Sequence, residues 1–244
     1  MSLLYIDIET SPMVVETWTA YEANALRILQ HSQILGASWA WDDGPLKTAY
    51  QNPAGDGKPN EDDERSVCQT LWGLLDAAEI VVAHNGDKFD VKKINNRLLR
   101  HGLGKPSPFR TIDTLKEARK TFNLPKNNLG EIGEYLGLGT KAATGGYALW
   151  AGCMDGDLRA WRKMARYNKR DTELLRDVYK ALREWMPRHP HIGGAGCPVC
   201  GSENRQSRGT RVMNSGITYH QFQCTSCRSY YRTPKLLRSP TNRP

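Results

Sequence analysis

The stretch LLYIDIET at residues 3–10 decides the fold that we expect for this chain. Its apolar side chains alternate with Tyr5, Asp7 and Glu9, which is the period-two pattern of a β-strand. Alternate residues share a face of a strand, so Asp7 and Glu9 place two carboxylates side by side. Such neighbours repel and raise each other's pKa, a penalty that a bound divalent cation removes. An Asp-x-Glu pair alone is more often structural, so its meaning depends on the rest of the chain.

Outward from this strand, hydrophobic periodicity predicts two further strands and then alternating helices and strands, the order of a mixed α/β domain. Strands are expected at 33–41, 46–51, 79–83 and 109–113. Residues 52–66 and the glycine-rich stretch 140–156 are expected to be loops, since neither has a periodic apolar face. Helices are expected from Val67 to Leu75 and at 89–101, 114–122, 128–136 and 158–186.

Two later segments carry further acidic residues. Asp90 follows a predicted strand end at His84-Asn85-Gly86 and opens the next helix, where an aspartate is also a routine partner of the helix dipole. Tyr167 and Asp171 lie four residues apart and therefore share one helix face. Each feature alone is ordinary in a soluble protein.

Together and in this order, these segments resemble the DEDD superfamily of 3′→5′ exonucleases, which includes the proofreading domains of DNA polymerases. Three motifs carry the resemblance: Asp7-Ile8-Glu9, then Asn85 with Phe89 and Asp90, then Tyr167 with Asp171. The third motif is of the tyrosine subtype, because the histidine subtype would place a histidine where Arg166 stands. The resemblance covers roughly residues 1–186 and implies a ribonuclease H-like mixed sheet flanked by helices.

The same resemblance implies an active site with two Mg²⁺ or Mn²⁺ ions, and oxygen ligands suit both metals. Asp7 would bridge the two cations, Glu9 and Asp171 would complete the first site, and Asp90 would serve the second. Tyr167 would orient the attacking water; a phenol with a pKa near 10 is a poor general base.

Possible substrate contacts are less sharply indicated. Thr10 follows the acidic strand, Asn85 could hydrogen-bond substrate or fix its turn, and Lys141 could contact phosphate. Three residues near the C-terminus complete the set of expected substrate-binding residues: Arg228, Tyr230 and Arg232. His84 and Asp113 are expected to be structural, and Asp87 to belong to a turn.

Two Cys-x-x-C pairs, Cys197/Cys200 and Cys224/Cys227, have the spacing of a four-cysteine zinc ribbon. So small a segment has too little core to fold without metal, which favours zinc over four reduced thiols. His220 is a possible stray ligand. The predicted domains are a ribonuclease H-like exonuclease domain at 1–188, the ribbon at 189–234 and a basic, disordered tail at 235–244.

Charge is concentrated in this C-terminal part. The net charge is +8, and residues 189–244 contain eight of the basic residues but one acidic residue, Glu203. Basic side chains interleaved with tyrosines suit unpaired nucleic acid, through counterion release and stacking. Docking of another protein is the alternative for this surface.

The sequence thus favours an exonuclease that releases nucleotides from the 3′ end of single-stranded DNA or frayed DNA ends. An exoribonuclease and an endonuclease of the same fold are rivals, and a non-catalytic nucleic-acid or replisome adaptor is an alternative of another class. The expected partner is single-stranded nucleic acid, with DNA favoured over RNA, and a replication protein is a further candidate partner; the sequence does not fix the oligomeric state. No secretion signal or membrane-spanning run is present, so a cytoplasmic location is expected.

Overall fold

The computed structural model describes residues 2–19, 21, 24–51, 57–142, 145–186, 189–190, 196–213 and 216–234. The chain forms two compact units, Ser2–Tyr179 and Lys180–Pro244. The tail at 235–244 and the Gly193-Gly194 pair lie outside the described residues. Within the described part, no helix is both long and apolar enough to cross a membrane.

The first unit is built on a five-stranded mixed sheet with strand order β5-β4-β1-β6-β7. Its strands are β1 (Leu3–Thr10), β4 (Ile34–Trp41), β5 (Lys47–Tyr50), β6 (Ile80–Ala83) and β7 (Arg110–Asp113), with a separate β2 (Val14–Glu16) and β3 (Arg27–Gln30) pair. Its helices are α1 (Glu61–Ala77), α2 (Asp90–Arg100), α3 (Thr114–Thr121), α4 (Leu129–Tyr135), α5 (Ala148–Met154) and α6 (Leu158–Leu182). The last residues of α6, from Lys180, and the 3-10 turn at Arg183–Trp185 belong to the second unit.

Strand β1 lies at the centre of the sheet, antiparallel to β4 and parallel to β6. Its apolar side chains Leu4, Ile6 and Ile8 are buried in the main core with Leu71 and Leu75 of α1. The predicted mixed sheet flanked by helices is confirmed. A central strand is hydrogen-bonded along both edges, so the backbone that carries Asp7 and Glu9 is held in a fixed position.

The sequence-based prediction of a loop from residue 52 to 66 was wrong over its last part, because α1 already begins at Glu61. Asn60 caps the helix by accepting a hydrogen bond from the Asp63 amide, and acidic residues fill the first turn. The fully buried Glu64 of this turn accepts hydrogen bonds from Arg97 and from the Ile34 amide. These tertiary contacts, which the local pattern does not contain, extend the helix toward its N-terminus.

Two other elements differ from the prediction. Residues 148–154, expected as loop, form α5, because Leu149 and Cys153 are buried in a second core cluster with Trp161 and Met164 of α6. The short β2–β3 pair was not predicted, and most of its residues are exposed.

The second unit contains a three-stranded antiparallel sheet of β8 (Arg205–Val212), β9 (Thr218–Cys224) and β10 (Tyr230–Pro234), in the order β10-β9-β8. The alternating pattern at 211–223 predicts a hairpin, and the third strand was not predicted. The small core contains Val199, Tyr231 and three of the paired cysteines. Both Cys-x-x-C pairs therefore meet beside one sheet, an arrangement consistent with a zinc ribbon.

Candidate active site

Strand β1 carries Asp7 and Glu9, both half-buried, at the middle of the sheet. Asp7 lies opposite Ser38 of β4, and Glu9 lies opposite Gly36. The pairing register shifts between Glu9 and Thr10, so the strand departs from regular geometry directly after the two carboxylates. Such a bulge re-aims side chains at the end of a strand.

Asp90 reaches this strand from the start of α2. It is 2% exposed, and its Oδ1 accepts a hydrogen bond of 3.1 Å from the backbone amide of Ile8. That amide lies between Asp7 and Glu9 in the chain. The Asp90 side chain therefore bonds to the backbone of β1. Its position at the start of α2 alone would have favoured a helix cap instead.

Helix α6 supplies Asp171 and Tyr167. The helix is fastened to β4 through the Ser38 hydroxyl, which donates to the carbonyl of Asn168 at 2.8 Å and bonds to Thr172. Asp171 is 1% exposed, and its Oδ1 is buried with no hydrogen-bond partner among the described residues. A buried carboxylate oxygen with no partner is costly unless a cation or donor satisfies it.

Lys141 provides one positive charge to this cluster. Its Nζ donates to Asp171 Oδ2 at 2.6 Å and lies 3.4 Å from the Tyr167 hydroxyl. The same ammonium lies 5.6 Å from the centroid of the Tyr167 ring. The lysine that was expected to contact phosphate thus lies against the third acidic motif.

The pKa shifts show that the four carboxylates share one electrostatic environment. Burial, followed by the charges of Asp90, Glu9 and Asp171, raises the pKa of Asp7 well above its usual value. Burial and the charge of Asp171 raise the pKa of Glu9 to about 8. Burial raises the pKa of Asp90 to about 7, against the Ile8 amide that lowers it. The cluster thus holds more negative charge than its surroundings stabilise.

Tyr167 is held beside the carboxylates by packing and charge. Its ring meets Trp150 edge-on at 6.3 Å between centroids. Burial, and then the charge of Asp171, raises the pKa of the Tyr167 phenol above its usual value. The phenol therefore stays protonated at neutral pH and is a hydrogen-bond donor rather than a base.

The chemistry of this donor set fits divalent cations. Four carboxylates supply the hard oxygen atoms that Mg²⁺ and Mn²⁺ prefer, and the raised pKa values and the partnerless oxygen of Asp171 indicate a need for positive charge. The carboxylates are less tightly grouped than the cysteines. Among the described residues, their oxygens do not form a set of three or more ligand atoms that all lie within 4.8 Å of one another.

A second group of ligand types lies in the core and has a structural explanation. Glu64, Cys68 and His101 place ligand atoms within 4.8 Å of one another. Both Glu64 oxygens already accept hydrogen bonds, from Arg97 and from His101. Burial raises the pKa of the Cys68 thiol to about 12, so no thiolate is offered. Glu64 instead forms a buried ion pair with Arg97, which joins α1 to α2.

The other expected substrate contacts are placed as follows. Thr10 is half-buried at the end of β1. Asn85 has a φ of 66°, and its amide donates to Asp113 Oδ1 at 2.9 Å, so its backbone forms the turn. Arg228, Tyr230 and Arg232 are exposed and belong to the Lys180–Pro244 unit, whereas the four carboxylates belong to the Ser2–Tyr179 unit.

The neighbouring residues behave as structural groups. Both ring nitrogens of His84 are engaged, with Thr114 Oγ1 at 2.9 Å and the Asn127 carbonyl at 3.0 Å. Burial lowers the His84 pKa to about 4. Asp113 caps α3, and Asp87 pairs with Lys116.

Sequence reasoning missed three residues of the site. Asn168, buried on α6, donates from Nδ2 to the carboxylate of Asp7 and accepts from the Tyr50 hydroxyl at 2.8 Å. Trp150 hydrogen-bonds Glu9 and packs on Tyr167. The only available signal was the position of Asn168 next to Tyr167; nothing local points to Tyr50 or Trp150.

In the second unit, the four cysteines place their sulfur atoms within 4.8 Å of one another. Cys197 and Cys227 Sγ lie 3.6 Å apart, as do Cys200 and Cys224 Sγ. Burial opposes ionisation of Cys224, but the amides of Cys227 and Ser226 overcome it and lower its pKa to about 7. This group could hold zinc, and His220 is not part of it.

One similar solved structure is the family B DNA polymerase from the hyperthermophilic archaeon Pyrobaculum calidifontis, with a TM-score of 0.49 and 16% identity over 76% of this chain. The match covers 26% of the polymerase chain, so this protein spans about a quarter of that enzyme. None of the curated proteins matches the sequence.

A family model gives the decisive comparison. The model described as RNase_H superfamily matches residues 4–183, which contain all four carboxylates, Tyr167 and Lys141. Nucleases of this superfamily use divalent metals, and membership supports nuclease activity in general. This chain therefore belongs to the RNase_H superfamily.

Proposed function

We propose that this protein is a two-metal-ion 3′→5′ exonuclease that acts on single-stranded DNA or frayed DNA ends. The observation that carries the proposal is the raised pKa of Asp7 and of Glu9 on the central strand, caused by burial and then by the charges of neighbouring carboxylates, Asp90 and Asp171 among them. An adaptor with no chemistry to perform has no use for four clustered carboxylates, three of them with raised pKa values.

In this proposal Asp7, Glu9, Asp90 and Asp171 would hold two Mg²⁺ or Mn²⁺ ions. Such ions would supply a water nucleophile at neutral pH and would stabilise the charge that develops on the phosphate and the leaving oxygen. Asn168 fixes the rotamer of Asp7 through its amide. The Ile8 amide does the same for Asp90.

Tyr167 and Lys141 complete the proposed site. The protonated phenol of Tyr167 donates a hydrogen bond that orients the attacking water. Lys141, whose ammonium is 2.6 Å from Asp171, limits the repulsion between carboxylates and offers a positive charge to a scissile phosphate. Thr10 and Asn85 remain proposed contacts of the terminal nucleotide.

The second unit is proposed to bind one Zn²⁺ through Cys197, Cys200, Cys224 and Cys227 and to hold single-stranded nucleic acid. Four thiolates with one Zn²⁺ leave this basic segment with net positive charge. Arg228, Tyr230 and Arg232 are the proposed contacts, DNA is favoured over RNA, and a replication protein is a proposed partner. The proposed boundaries are 1–188, 189–234 and 235–244.

The test uses DNA and RNA oligonucleotides labelled at the 5′ end, incubated with Mn²⁺, with Mg²⁺ or with no added divalent cation. A ladder shortened stepwise from the 3′ end on DNA, dependent on added cation, is the expected result. A ladder on RNA alone would identify an exoribonuclease, and internal cuts in a circular strand an endonuclease. Failure of every substrate with a zinc-loaded, folded preparation would overturn the proposed activity.

A further inference from the structure

The Lys180–Pro244 unit contains a cavity of about 610 Å³. Its walls include Trp185 and Met186 after α6, Gln221 of β9, and Tyr230, Tyr231 and Arg232 of β10. The volume lies within the range of about 300–1,000 Å³ that is typical of small-ligand pockets. We propose that this cavity binds one unpaired base of single-stranded nucleic acid, with Trp185 and Tyr230 as its stacking surfaces.

Two aromatic walls of the cavity are more than half exposed. Trp185 is 57% exposed and Tyr230 is 58% exposed, although both line a concave surface. Aromatic rings that keep one face open are the means by which proteins stack unpaired bases without regard to sequence. Trp185 lies outside the cysteine-rich segment, and no sequence motif assigns it a role.

Tyr231 gives a second, independent indication of a ligand. Tyr231 is 8% exposed and lines the cavity, yet its phenolic oxygen has no hydrogen-bond partner among the described residues. A buried hydroxyl without a partner destabilises the folded state. The polar edge of a base, which offers donors and acceptors, would satisfy it.

Charge selects nucleic acid over an apolar ligand or peptide. The strands of the ribbon and the turn before β10 carry five exposed arginines: Arg205, Arg208, Arg211, Arg228 and Arg232. Glu203 is the acidic residue of the same described segment. Arg232 itself lines the cavity, as does Gln221, whose amide suits a base edge. Glu184 also lines it and can accept from an amino group of a base.

The experiment measures the binding of a fluorescent oligothymidylate to the full chain by anisotropy, with Asp7→Asn in every variant to suppress cleavage. Trp185→Ala and Tyr230→Ala should each weaken binding by roughly five- to 150-fold, the range expected for the loss of one stacked base. Tyr135→Ala is the matched control, since Tyr135 is an exposed tyrosine of α4 in the other unit. Zinc content and thermal unfolding establish that each variant is folded.

Two further measurements distinguish a pocket that binds a base from a surface that binds nucleic acid by its positive charge alone. Tyr231→Phe removes the buried oxygen and keeps the ring, so affinity should fall while thermal stability is unchanged or higher. An abasic oligonucleotide of equal length and charge should bind the wild-type ribbon as weakly as the thymidylate binds Trp185→Ala. If Trp185→Phe keeps the binding that Trp185→Ala loses, the loss in the alanine variant is explained by stacking and not by misfolding.

Equal affinity of the abasic and thymidylate strands, or affinities within twofold of wild type for both alanine variants, would overturn the base pocket. The inference rests on nucleic acid as the ligand of the proposed function, but its failure is separable. Cleavage of a dinucleotide by the chain with native Asp7 reports on the carboxylate site, and the anisotropy series reports on the cavity.

Discussion

The acidic site and the cysteine site solve the same problem, placing like-charged ligands together, in opposite ways. The core around β1 contains fifteen buried residues, which hold Asp7 and Glu9 in place whatever their protonation. The core of the ribbon contains five, of which three are cysteines. A large core can support strained, repelling carboxylates, whereas a small one depends on the ion that its ligands bind. In this chain, the expected role of the metal therefore follows from the size of the core beside it.

The largest expected effect is on catalysis. Asp7→Ala should lower cleavage by several orders of magnitude, because Asp7 is the carboxylate on which the charges of the other three all act. Circular dichroism and thermal unfolding should match the wild-type protein, since the core under β1 is untouched. Asp62→Ala, at an exposed position of α1, is the control. Undiminished cleavage by Asp7→Ala would remove the acidic cluster from the mechanism.

The next effect is on the fold of the ribbon. Cys224→Ser should abolish zinc binding, measured as metal content per chain, and should unfold the second unit, because structural zinc contributes on the order of 10–16 kcal/mol. Cys153→Ser, at a buried cysteine outside the four-cysteine group, should retain zinc. A Cys224→Ser protein with a protected, protease-resistant ribbon would show that its core folds without metal.

A smaller effect is a pH dependence confined to the acidic unit. Unfolded carboxylates titrate near about 4, and the folded pKa values are about 8 for Glu9 and about 7 for Asp90. The folded state therefore holds more protons, and stability falls as pH rises from about 4 through 8 when no divalent cation is present. Mn²⁺ should restore the lost stability at pH 8.5 but add little at pH 5.

Thermal unfolding at several pH values checks this sign. Asp7→Asn should remove part of the decline, because one repelling charge is absent. A wild-type stability that instead rises from pH 5 to 8.5 without cation would show that the carboxylates are stabilised by the protein alone.

The smallest effect concerns the positive charge that the site already contains. Lys141→Gln removes the ammonium 2.6 Å from Asp171, so the carboxylates should bind Mn²⁺ a few-fold more tightly while the cation-free protein becomes less stable. Calorimetric titration with Mn²⁺ measures the first effect and thermal unfolding the second. Lys126→Gln, at a surface ion pair with Glu131, is the matched control. Weaker Mn²⁺ binding by Lys141→Gln would show that the lysine orients Asp171 rather than competing with cations.

The local sequence pattern predicted an element correctly where the signal lies within that element. The strand at 3–10 and the Asn128 cap of α4 were predicted from the sequence and are present. It failed for the start of α1, where buried Glu64 pairs with Arg97 of another helix, and for α5, whose buried residues pack with α6 and with Leu35 of β4. In both cases the stabilising partner is distant in sequence, so no local window contains the signal.

The amino-acid sequence by itself determined the acidic residues of three motifs, the two cysteine pairs and the alternating strand that supports the first motif. Only the tertiary structure decided that Asp90 is held by the Ile8 amide, that Lys141 faces Asp171 and that Asn168 positions Asp7. The physical reason is that residue types and short-range periodicity are written locally. Hydrogen bonds and the fields between charges depend on distances that exist only after the elements have packed.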